Sequence, residues 1–207
     1  MARNLLICTA AASFLLSTAA IASPVTYVGT LNSAAEGNPA DTSPGTGIAR
    51  ITIDDLIHQL TVHVVFSGLQ GTTTASHIHC CTSVAGTGNG GVATTVPTFA
   101  GFPLGVTAGT YDNVLDMSLS SSWNPSFITA NGGTPLSAFA ALSSGLAAGK
   151  SYLNIHTSTF GSGEIRAFLV AEPIPEPASA WLAFAALAAL TVSRRSRQTD
   201  PALGPGA

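Results

Sequence analysis

From residue 25 to residue 171 apolar and polar positions alternate with a period of two, the mark of strands that turn one face to a core. Val25 to Leu31 opens the series with β-forming residues. In Thr46 to Asp54, Ile48, Arg50 and Thr52 alternate with Ala49, Ile51 and Ile53, and Asp54-Asp55 marks a turn. Gln59 to Phe66 sets Leu60, Val62, Val64 and Phe66 on one face against Thr61 and His63, and Ser67-Gly68 ends it. Thr72 to Cys81 is a further β-rich stretch, followed by a glycine-rich loop over 86–91. Tyr111 to Leu119 places Leu115, Met117 and Leu119 opposite Asp112, Asp116 and Ser118. Tyr152 to Thr157 and Glu164 to Ala171 form a closing hairpin around Phe160-Gly161-Ser162-Gly163. Thr134 to Leu146 reads instead as a helix, with Thr134 as cap, Pro135 in the first turn and Gly149 to stop it. Short strands, Gly/Pro turns and one embedded helix predict an all-β, antiparallel sandwich.

The two ends do not follow this pattern. Residues 1–22 have the parts of a secretory signal peptide: Arg3, an apolar run from Leu5 to Leu16, and Ala20-Ile21-Ala22 before a mature start at Ser23. Signal peptidase would cut between Ala22 and Ser23 and discard Cys8 with the leader. At the other end Pro175-Glu176-Pro177 precedes an apolar run over 180–192 and the basic group Arg194, Arg195 and Arg197. About 15 apolar residues span about 22 Å as a helix, short of the roughly 30 Å of a bilayer core. Arginines directly behind such a segment stay cytoplasmic. The order over 173–197 resembles the PEP-CTERM sorting signal of Gram-negative bacteria. The resemblance implies transient membrane insertion, an inner-membrane-anchored intermediate and cleavage near Pro175-Glu176-Pro177 by an exosortase-type peptidase. Residues 198–207 form a polar tail beyond the arginines.

Removing both ends leaves one domain over 23–172, large enough for its own core. Only 8% of the chain is charged although 46% is hydrophobic, which excludes a disordered polyelectrolyte. The domain holds Arg50, Lys150 and Arg166 against eight carboxylates, a net charge of −5 with histidines neutral. An acidic surface of this kind excludes a basic nucleic-acid binder.

Candidate chemistry gathers in two phrases, Ser76-His77-Ile78-His79-Cys80-Cys81 and Tyr152-Leu153-Asn154-Ile155-His156-Thr157. On a strand His77 and His79 point to the same face, as two imidazoles must to share one metal. His156 supplies a third ligand if its strand lies alongside, and Glu164 a fourth ligand or an orienting partner. Copper or zinc is the expected ion. The other reading is a polar structural cluster, each imidazole satisfied by carbonyls or by Glu164. Cys80 and Cys81 admit a vicinal disulfide, intermolecular bridges, metal thiolates beside His79, or free thiols; the vicinal bridge is favoured. Arg166 and Glu164 alternate on one face and imply an ion pair to another strand. His58 and His63 read as exposed strand residues. Asp54-Asp55 and the 86–91 loop match no calcium motif, and no G-x-S-x-G, Walker loop, paired-carboxylate signature or H-E-x-x-H occurs. A non-enzymatic protein is therefore expected.

The same phrases carry a family resemblance. "TASHIHCC" after "VVFSGLQGTT", "YLNIHTSTFGSGEIRAFL", and the opening "YVGTLNSAAEGNPADTSPGTGIARITID" with Glu36 resemble the CHRD domain across residues 25–170. The resemblance implies an immunoglobulin-like β-sandwich without an established catalytic activity. Cys80-Cys81 stand where the family has glycine and small residues, and Ala167 replaces a glycine. With the two sorting segments, it predicts export to the cell surface or extracellular matrix and a structural or interaction role. Exopolysaccharide or cell-surface proteins are the expected partners.

Overall fold

A computed structural model describes residues 24–37 and 42–173. The signal segment with its Ala22/Ser23 cleavage site, and the tail with Pro175, Glu176, Pro177, Arg194, Arg195 and Arg197, lie outside the described residues. Among the described residues no helix is long and apolar enough to cross a membrane.

Among the described residues there are nine antiparallel strands: β1 (Val25–Asn32), β2 (Thr46–Asp54), β3 (Gln59–Ser67), β4 (Thr73–Cys80), β5 (Gly91–Val92), β6 (Gly109–Asp116), β7 (Tyr152–Thr157), β8 (Ile165–Phe168) and β9 (Val170–Ala171). They hydrogen-bond in the order β5-β4-β7-β8-β1-β2-β3-β6, with β9 also on β1. The fold is antiparallel and sandwich-like, as expected, with its strands joined in one sheet that curls on itself. The C-terminal strand makes the curl. Ile165 to Phe168 pair with β7, while Arg166, Val170 and Ala171 pair with Asn32, Val28 and Tyr27 of β1.

Alternation dictates what the curl encloses. Ala49, Ile51, Ile53, Leu60, Val62, Val64 and Phe66 from one limb meet Ile78, Leu153, Ile155, Ile165 and Ala167 from the other in one core. At about 25 cal/mol per Å² of buried apolar surface this cluster is the main stabilising term. Two helices close it: α1 (Pro125–Ala130) and α2 (Pro135–Ala147). Thr134 caps α2 in a capping box with Ser137, and Phe139, Leu142 and Leu146 face inward. The sequence led to only one helix; α1 starts from the same Asn/Thr-Pro signal, with Asn124 as cap and Pro125 in the first turn.

Two further expectations are corrected. β6 stops at Asp116, whose side chain accepts from the Ser118 N–H and hydroxyl, so Met117 is buried but Leu119 is exposed. His58 is not a strand residue: it sits in the β2–β3 turn at φ 51° and meets the Phe139 ring edge-on at 5.4 Å. His63 is a strand residue, half-exposed and hydrogen-bonded to Asp112.

Candidate metal centre

β4, β7 and β8 are buried on both sides. Ile78 and Cys80, Leu153 and Ile155, and Ile165 and Ala167 face the core. The opposite face carries His77 and His79 from β4, Tyr152, Asn154 and His156 from β7, and Arg166 and Phe168 from β8. In the register His77 lies opposite Asn154, His79 opposite Tyr152, and Asn154 opposite Arg166, so His156 sits diagonally to His77. A short 3-10 helix, Ala34–Glu36, and the 86–90 loop cover this face, and Arg166 ties them down. Its guanidinium donates to the carbonyls of Ala35 and Gly88 and to Asn89 Oδ1, and it lies 4.8 Å over the Tyr152 ring. Glu36 Oε2 is 3.9 Å from Arg166 Nε.

His77, His79 and His156 converge beneath this cover, with their ligand atoms within 4.8 Å of one another. Ring centroids are 4.7 Å apart for His77–His156, 4.8 Å for His77–His79 and 6.0 Å for His79–His156. Backbone carbonyls fix two of the rings. His79 Nδ1 donates to Gly90 O at 2.9 Å, and His156 Nδ1 donates to Gly161 O at 3.0 Å. A carbonyl can only accept, so in both rings the proton is on Nδ1 and Nε2 keeps its lone pair. Those two Nε2 atoms, and Nδ1 of His77, are buried with no hydrogen-bond partner among the described residues. Burial and the neighbouring imidazoles push His77 down to about 3. Burial, against the Gly90 bond, pushes His79 down to about 4 and lowers His156 as well. All three shifts favour the neutral form that ligation requires. Tetrahedral coordination at about 2.0–2.1 Å per bond separates nitrogens by about 3.3 Å, so side-chain shifts of about 1 Å complete the geometry.

Glu164 does not join this cluster. Gly163, at φ 129°, turns the chain just before it, and its carboxylate lies with Thr157 on the other side of β7 from His156. It accepts from Ser43 Oγ, Thr157 Oγ1 and the N–H groups of Gln70 and Gly71. Burial would raise its pKa, but these four donors outweigh that and hold it below the usual carboxylate range. Nor do Glu164 and Arg166 share a face, and the ion pair of Arg166 runs not to another strand, as expected, but to Glu36 of the 3-10 helix.

The sulfurs of Cys80 and Cys81 are joined in a vicinal disulfide. Cys80 points to the core, away from His79, and both sulfurs lie against Gly145 of α2. Joined to each other and turned to α2, the two sulfurs are not among the groups that gather with His79. Three residues that frame the site had no role in it from sequence: Tyr152, stacked on His79 at 4.7 Å and 7°, Asn154, and Gly90. Period-two counting back from His156 finds the first two. A cavity of about 380 Å³ beside His79 is lined by Glu36, Asn89, Gly90, Tyr152, Asn154 and Ser162.

The described residues thus form a curled antiparallel sheet with three histidines gathered on one covered face. A family model for the CHRD domain matches residues 27–169, and the chain belongs to the CHRD domain family. CHRD domains are typically extracellular or secreted, which is compatible with export. Neither a curated protein nor a solved structure gave a match.

Proposed function

We propose that this is an exported CHRD module that binds one copper or zinc ion through His77, His79 and His156 and serves a structural or interaction role at the cell surface. The carrying observation is the convergence of three imidazoles, two of them oriented by backbone carbonyls. Such outer partners fix the tautomer and ring angle of metal-binding histidines. Imidazole donors suit copper and zinc alike, and three protein ligands leave a coordination position for an outside group. The ion would cross-link β4 to β7 beneath the Arg166 clasp. No reaction is assigned to it.

Elemental mass spectrometry of the untagged protein purified from a periplasm tests this reading. About one copper or zinc per chain is expected, and none in His77→Ala. Absence of metal, with no gain on titration, would make the histidines a structural polar cluster.

Sorting through the tail is the second part of the proposal, supported by the three-part order over 173–197. Mass spectrometry of the source cell's envelope and medium should find chains ending near Pro175-Glu176-Pro177. Recovery of only chains ending at Ala207 would contradict processing.

A further inference from the structure

We infer that the Cys80–Cys81 disulfide is a thiol-exchange site whose state sets how firmly His79 is held, and hence the metal affinity of the histidine centre. The inference rests on the metal-binding reading above.

The two sulfurs differ in access. Cys80 is 4% exposed and faces the core, whereas Cys81 is exposed. Both line a cleft of about 420 Å³ with Val92, Asn124, Phe127 and Asn131, separate from the cavity beside His79. A thiolate of a dithiol reductant entering this cleft meets Cys81 Sγ first. A bond forms between them and the S–S bond breaks, its electron pair passing to Cys80 Sγ, which takes up a proton. The second thiol of the reductant then attacks its own sulfur in the mixed disulfide. Cys81 leaves as a thiolate and is protonated, and the reductant departs as an intramolecular disulfide. Two electrons and two protons reach the protein.

The link to His79 runs through Gly90. This residue lies directly on the peptide between the two cysteines: a Cβ added to it would be 3.1 Å from the Cys80 carbonyl carbon and 3.3 Å from Cys81 N. Cys80 pairs with Gly91, and His79 with Val92, in the β4–β5 ladder. The Gly90 carbonyl is the group that holds His79 Nδ1–H, and the Gly90 N–H donates to the hydroxyl of Tyr152, the ring stacked on His79. The bridge confines the Cys80–Cys81 peptide within a small ring. Opening it gives the peptide rotational freedom, moves the surface on which Gly90 rests and loosens the carbonyl that aims His79. The freed Cys80 thiol cannot compensate, since it projects from the opposite face of β4.

The test uses the full exported chain, oxidised or reduced without denaturant by a water-soluble phosphine and desalted without oxygen. Alkylation followed by intact mass counts thiols, and calorimetric titration with zinc reads affinity. Two alkylated cysteines and at least a tenfold weaker zinc affinity are expected after reduction. The Cys80→Ser/Cys81→Ser variant should show the same loss, with far-UV circular dichroism confirming its fold. A bridge that resists native reduction, or affinities equal within twofold, would overturn the inference. So would tighter binding in the reduced chain but not in the serine variant, which would mean thiolate ligation. An oxidised chain that takes up no zinc would instead defeat the metal reading itself, which keeps the two failures apart.

Discussion

Glu164 is buried on one side of β7 and the histidine triad, with His77 and His79 buried and His156 half-buried, lies on the other, and acid acts on them in different windows. Glu164 is fully buried with four donors converging on it. Removing the acceptor leaves them unsatisfied, so Glu164→Ala is expected to cost about 3 kcal/mol or more in urea denaturation. Metal stoichiometry should not change, because the carboxylate is outside the centre. Its folded pKa lies below the ordinary 4.5, so its stabilisation is complete above that value and is lost as pH falls through the folded one. The histidines begin to act earlier. With folded pKa values of about 3 for His77 and about 4 for His79 against an ordinary 6.5, the unfolded chain takes up protons first as pH drops below 6.5. Metal-free protein should then lose up to about 1.4 kcal/mol per pH unit for each histidine kept neutral. Between pH 6.5 and 4.5 this loss belongs to the histidines and not to Glu164. Urea midpoints at pH 7 and pH 5 should draw together in His77→Ala; an unchanged gap would mean that His77 is not held neutral by the fold.

At the scale of elements, α2 and the end of β4 meet at Gly145. Alanine there would gain about 1 kcal/mol in helix propensity. Its Cβ, however, would fall on both disulfide sulfurs and 2.9 Å from Ser151 Oγ, and overpacking of this kind costs about 1–3 kcal/mol. Gly145→Ala is therefore expected to be destabilised. In the Cys80→Ser/Cys81→Ser background, where smaller oxygens face the helix, the cost should shrink by about 1 kcal/mol. Equal costs in the two backgrounds would show that the helix does not bear on the bridge. How far such contacts were legible depended on periodicity. Alternation marked β2 at Thr46–Asp54 and β7 at Tyr152–Thr157 and put His77 and His79 on one face, while the Thr134-Pro135 cap signal marked the start of α2. It could not give the β4–β7 pairing that brings in His156, because neighbours in a sheet are a tertiary property. The cover over the triad was illegible for another reason: Ala34–Glu36, the 86–90 loop and the two-residue β5 are too short to show a period. The Glu164 carboxylate was misplaced because counting by two fails where Gly163 adopts φ 129°.

Over the whole molecule, the candidate centre gathers parts of the chain that only folding brings together. Its ligands come from β4 and β7, and Arg166 of β8 binds the Ala35 and Gly88–Asn89 backbones above them. An unfolded chain has no equivalent cluster of three neutral imidazoles at fixed spacing. A metal that binds the native state alone adds stability as the logarithm of its concentration over Kd, about 2.7 kcal/mol at a hundredfold excess. For a domain of about 150 residues, each kcal/mol moves Tm by about 2–4 °C, so saturating zinc should raise it by about 5–10 °C. Scanning calorimetry of the metal-free chain, with and without zinc, checks this. His77→Ala should melt at the same temperature in both solutions, and Glu164→Ala should melt lower yet keep the full zinc-dependent rise. A wild-type chain that binds zinc in titration but shows no rise in Tm would place that zinc on the unfolded chain too. The triad would then owe its affinity to the H-x-H sequence and not to the curl of the sheet.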